Sequence, residues 1–115
     1  RIGADSLVGY LDFGATHRGV VEIAGWAGDT QTGEPAERIL VFEDRQGVFS
    51  HTLGGSRPDV VKVFGKPGLR WTGFHCWFPL AFVRGRPSPV LRVFALHRGT
   101  AIELQYSAGY TLGAR

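Results

Sequence analysis

Apolar residues in this chain recur at alternate positions far more than at helical spacing, and the alternation predicts seven β-strands over 7–13, 19–27, 38–43, 48–53, 72–79, 90–97 and 101–106. The second strand is the cleanest. Val21, Ile23, Gly25 and Ala27 share one face, while Val20, Glu22, Ala24 and Trp26 share the other. The fifth places Phe74, Cys76 and Phe78 opposite His75 and Trp77. Turn formers separate the strands. Asp44-Arg45-Gln46-Gly47 joins the third and fourth into a hairpin, and Arg98-Gly99-Thr100 makes a tighter one between the sixth and seventh.

One segment departs from this period. In Arg57-Pro58-Asp59-Val60 the proline suits the first turn of a helix, where its missing N–H is not needed. Asp59 lies at the positive end of the helix dipole. Val60, Val61, Val63 and Phe64 supply an apolar face, and Gly65 a stop. Seven short strands with turns about every ten residues predict an all-β fold, an antiparallel sandwich of the immunoglobulin or fibronectin kind, with this short helix crossing between its sheets. A small closed barrel is the alternative. The polar stretches at 29–36 and 84–89 read as loops, and 107–115 as a loose tail in which Tyr110 and Leu112 can pack.

The 115 residues form a single domain, 1–115 with a core over about 7–106, long enough to bury a core without metals or disulfides. Seventeen glycines and six prolines favour short strands over long helices. No apolar run approaches the ~18 residues of a membrane-spanning helix, so no direct membrane insertion is expected of this segment. Arg1-Ile2-Gly3-Ala4-Asp5 lacks the apolar core of a signal peptide. The chain has no methionine, which suggests a piece of a longer precursor that would carry any address signal.

Net charge is +3, from eleven Arg and two Lys against ten acids. The basic residues are scattered, with Arg84/Arg86 and Arg92/Arg98 nearest to clusters, whereas a nucleic-acid surface shows a dense stripe with interleaved aromatics. No nucleic-acid partner is expected. Cys76 is the one cysteine, so no internal disulfide forms, and its place in Phe74-His75-Cys76-Trp77-Phe78 predicts a buried, inert thiol.

Candidate chemistry is sparse. His17, His51, His75 and His97 show no metal-ligand spacing and read as solvent-facing strand residues, so no metal and no cofactor are expected. Ser6, Ser50, Ser56, Ser88 and Ser107 lack a nucleophile-elbow context, and no catalytic carboxylate pair stands out. No catalytic residue is assigned. Asp29 and the polar residues after it resemble a loop able to wrap Ca²⁺, or an Asx turn in which Asp29 ties its own backbone. The tryptophans offer more. Exposed aromatics on a sandwich face stack on sugar rings, whereas a buried tryptophan anchors the core; Trp26 reads as core, and Trp71 and Trp77 stand open to either role. Arg57 and Asp59 are either a structural lock or a site whose guanidinium meets an anionic ligand.

Gly25-Trp26-Ala27-Gly28-Asp29, Gly33-Glu34-Pro35-Ala36, Val41-Phe42, Arg57-Pro58-Asp59-Val60, Phe64-Gly65 and Gly73-Phe74, taken in order, resemble a pattern of small β-sandwich domains. These are appended to bacterial membrane-embedded glycosyltransferase-like proteins and other cell-envelope proteins. The resemblance runs from about Gly19 to Tyr106, while Gly28 and Asp44-Arg45-Gln46-Gly47 stand where variable residues are expected. It implies an extracytoplasmic accessory domain, periplasmic or on the cell surface, with no catalytic residues to carry over. The expected function is therefore non-catalytic: interaction or glycan contact through Trp71, Trp77, Arg57 and Asp59, the partner being a glycan or another domain of the parent protein. The alternatives are a purely structural spacer and, more remotely, a metal-dependent or hydrolytic enzyme built from the histidines.

Overall fold

The computed structural model describes residues 6–83 and 91–106. Among them are nine strands: β1 Leu7–His17, β2 Val20–Asp29, β3 Glu34–Pro35, β4 Arg38–Glu43, β5 Gln46–Thr52, β6 Gly73–Pro79, β7 Leu91–His97, β8 Thr100–Glu103 and β9 Gln105–Tyr106. One α-helix, α1 Pro58–Phe64, and 3₁₀ turns at Pro67–Trp71 and Leu80–Phe82 complete the set. The fold is all-β and mostly antiparallel. Sheet A runs β3-β2-β1-β9, with β6 sharing the edge of β2 beside β3, and sheet B runs β5-β4-β7-β8. The expected loop over 84–89 and the tail 107–115 lie outside the described residues.

Strand alternation builds the core. Val21 and Ile23 of β2, Ile39 and Val41 of β4, Phe74, Cys76 and Phe78 of β6, and Leu91, Val93 and Ala95 of β7 all turn inward and form one buried cluster between the sheets. Phe49 of β5 stacks on Phe78 of β6 across the sheets, ring centroids 4.7 Å apart. The hairpin turns at Arg18–Gly19 and Arg98–Gly99 have both residues at positive φ, the geometry that matches strand twist.

All seven expected strands are present, with four differences. β1 continues four residues beyond its expected end at Phe13, to His17. Within the expected 29–36 loop, Glu34–Pro35 pairs with Gly28–Asp29 as β3. The expected last strand is two: Leu104 is still bonded to Val93 of sheet B, after which β9 pairs in parallel with Tyr10 and Leu11 of sheet A. The fourth difference lies in β1, where a bulge at Asp12 interrupts the pairing with β2. Plain alternation aligns Phe13 with Leu7 and Leu11 toward the core. The extra residue reverses parity, so Phe13 points outward and stands 44% exposed.

α1 lies in the crossover from sheet B to sheet A. Pro58 occupies its first turn, and Gly65 ends it in the left-handed conformation with its N–H on the Val61 carbonyl. The helix covers one end of the outer face of sheet A, where Val60 and Leu69 bury Trp26 with help from Val8 and Val61. Trp26 is thus buried as expected, but in this satellite cluster rather than between the sheets.

Gly28 is closely packed. A Cβ there would lie 2.7 Å from Thr72 Cγ2 and 2.9 Å from Leu69 Cδ2, the side chains that seat the 3₁₀ turn on β2. The Gly28→Ala variant is expected to lose about 1–3 kcal/mol through overpacking, read as a lower urea midpoint at unchanged slope.

Candidate functional site

Cross-strand register defines the outer face of sheet A. Phe13, Ala24 and His75 form one row, Ala15, Glu22 and Trp77 the next, and His17, Val20 and Pro79 the last. Adjacent strands lie about 4.8 Å apart, so the β1 and β6 side chains stand roughly 10 Å apart across β2. Ala24 of β2 and Ala15 of β1 present only short side chains in these rows, while Glu22 fills the β2 position between Ala15 and Trp77. Tyr10 is 42% exposed and Trp77 55%. The ring of His75 stacks on that of Trp77, centroids 4.6 Å apart.

Glu22 supplies the polar centre of this face. Its carboxylate accepts Nε2–H of His75 at 2.6 Å and Nε2–H of His17 at 3.3 Å. The hydrogen bond from His75, then that from His17, holds the Glu22 carboxyl below the usual carboxylate range. These bonds fix the imidazole of His75, and through it the Trp77 ring.

Arg57 lies where this face meets α1. Its Nε and Nη2 donate to the two oxygens of Asp59 at 2.9 and 2.8 Å, and its Nη1 reaches Asp12 Oδ2 at 2.7 Å. The guanidinium therefore joins the helix start to the bulge of β1 and presents no open fork. The Arg57 bonds, ahead of backbone N–H bonds from Asp59 and Val60, lower the Asp59 carboxyl below its ordinary range. Trp71 sits apart: it closes the 3₁₀ turn, half exposed, with the Arg70 guanidinium 5.3 Å from its ring centre. From Gly73 to Trp77, β6 runs about 13 Å, so the two exposed tryptophans do not form one surface.

The histidines divide. His17, His51 and His75 face solvent as expected, but His97 is buried, 6% exposed. At the end of β7 its Nε2 lies 3.2 Å from Glu34 Oε1 and 3.9 Å from Asp29 Oδ2, and its Nδ1 lies 3.9 Å from Glu37 Oε2. Asp29 in turn accepts the N–H groups of Gln31 and Thr32 at 2.9 and 3.1 Å, the Asx geometry rather than an oxygen cage. His97 thereby joins sheet B to the β2–β3 end of sheet A. Among the described residues no three His, Cys, Asp or Glu side chains are arranged to hold a metal ion.

Sequence reasoning singled out Trp77 on this face but not Phe13, Tyr10, Glu22, His17 or His75 as a group. The alternation of β6 already set His75 and Trp77 opposite the core. Phe13 was hidden by the bulge, which leaves no mark in a period-2 pattern. No protein-family model, curated protein or solved structure matches the chain.

Two measurements follow. Burial pushes the Cys76 thiol up to about 11, so at pH 8 a disulfide reagent is expected to react only on the unfolding timescale; stoichiometric reaction within seconds would contradict the packing. Asp59 has a depressed folded value, so its contribution is present above the unfolded value near ~3.9 and is lost as pH falls through the folded value. The Asp59→Asn variant is expected to be about 0.5–1 kcal/mol less stable than the parent at pH 7, with the difference shrinking as pH falls below ~3.9, by urea denaturation across that range.

Proposed function

We propose that this chain is a non-catalytic accessory domain that contacts glycan through the outer face of sheet A. The observation that carries the reading is the placement of Phe13, Tyr10 and Trp77, each more than 40% exposed, on one sheet face around short alanines. An apolar ring exposed on a rigid strand favours the C–H face of a pyranose, and the polar tips of Glu22, His17 and His75 suit its hydroxyls. The site consists of Phe13, Tyr10, His75 and Trp77, with Glu22 as the polar centre; Arg57 and Asp59 act as the clamp beside it, and Trp71 is outside it.

The finer fold reading is an immunoglobulin-like sandwich. Its support is strand order: leaving aside the two-residue strands, the first, second and fifth strands lie together and the fourth, third, sixth and seventh lie together. This matches the sandwich arrangement in which an added strand beside the third extends the second sheet. The extracytoplasmic setting, in a larger bacterial envelope protein, rests on the resemblance of the Gly-Trp-Ala and Arg-Pro-Asp-Val elements described above. No role for nucleic acid enters this reading.

Titration of the ¹⁵N-labelled domain with soluble cell-wall sugars at millimolar concentration tests the glycan reading. Saturable shifts are expected at Phe13, Ala24, His75 and the Trp77 indole. Trp77→Ala should weaken binding by roughly 2- to 10-fold, as for the loss of one aromatic stack, and Trp71→Ala should not. Absence of shifts across the sugar set would remove the glycan reading and leave that of a structural spacer.

A further inference from the structure

The outer face of sheet B has no helix over it among the described residues, and its chemistry differs from that of sheet A. Leu40 and Phe42 of β4 lie beside Phe94 and Arg92 of β7, and Ala101 of β8 extends the row system. These side chains, with Asp44 and Arg45 of the β4–β5 turn, line an open trough of about 420 Å³ with almost wholly apolar walls. That volume falls within the range of small-molecule sites. Phe42 and Phe94 meet edge to face at 5.6 Å, so the floor is held by its own packing.

The charges at the rim are unequal. Arg92 is already bound: Nε and Nη2 donate to Glu103 at 3.1 and 2.8 Å, and its guanidinium lies 5.2 Å from the centre of the Phe94 ring. Asp44 is also engaged. Arg45 lines the same trough and has no ion-pair or hydrogen-bond partner among the described residues. A guanidinium without a counter-charge beside an apolar trough complements a molecule with an apolar body and an anionic end.

We infer that the outer face of sheet B is a binding site for a free aliphatic carboxylate, its chain lying along Leu40, Phe42, Phe94 and Ala101 and its carboxylate on Arg45. This site is independent of the glycan face, which lies on the opposite side of the domain.

Sodium octanoate is the probe, followed by ¹⁵N and methyl chemical shifts of the intact chain. Saturable shifts are expected at Leu40, Phe42, Arg45, Phe94 and Ala101, with none at Phe13 or Trp77. Hexanoate should bind roughly tenfold more weakly, as two buried methylenes are lost. Arg45→Ala should weaken octanoate several-fold while leaving 1-octanol unchanged. Ala101→Glu, at an exposed position, should block octanoate with no change in melting.

Several results overturn the inference. Equal affinity for octanoate, 1-octanol and octylamine would remove the role of Arg45. Shifts scattered over the whole surface would mean non-specific adsorption. Concentration-dependent shifts of this face without ligand would assign it to a second copy of the chain. Co-sedimentation with phosphatidylglycerol vesicles, abolished by Arg45→Ala, would assign it to a membrane surface instead.

Discussion

The bulge at Asp12 is the constraint on which the outer layer of this domain depends. One extra residue in β1 reverses the parity of every side chain after it, turning Phe13, Ala15 and His17 outward beside Ala24, Glu22 and Val20. The same residue receives Arg57, whose other two bonds go to Asp59 at the start of α1. A single guanidinium thus fixes the irregular point of the sheet and the helix beside it. Each ion pair is partly exposed and modest alone. Sharing one ordered arginine lets the second bond form at little further entropic cost.

From this follows the division of sheet A. Above the bulge α1 covers Trp26, buried by Val60 and Leu69 with its ring in contact with those of Tyr10 and Phe64, while Tyr10 itself stays exposed at the border. Below it nothing among the described residues covers the strands, and the aromatic groups there meet solvent. Sheet B is built differently. Its outer face has aromatic and aliphatic side chains close to the sheet, with guanidinium groups at the rim. The two faces therefore suit different chemistries although their inner surfaces form one core.

The end of the sandwich at the close of β7 is held by polar contacts. His97 from sheet B is enclosed by Asp29, Glu34 and Glu37, and Arg98 reinforces the group by bonding Glu34 at 2.9 Å through its side chain and Glu37 at 2.8 Å through its backbone N–H. Asp29, the buried acid of the group, is held by the backbone N–H groups of Gln31 and Thr32. The acids and the histidine are 60 or more positions apart in the chain, so no local spacing announced them, and a solvent-facing histidine was the natural expectation.

The chain alone determined what local physics controls. Alternating apolar residues set the inner faces of β2, β4, β6 and β7; Arg-Gly and Asp-Arg pairs set the hairpins; Pro58 and Gly65 set the limits of α1. These signals depend on neighbours within a few residues. Tertiary structure decided the rest: the outward turn of Phe13, the burial of Trp26 beneath a helix, the departure of β9 into the other sheet, and the meeting of His17 and His75 on Glu22. Each depends on which strands lie side by side and in what register, and register is a property of the assembled sheet.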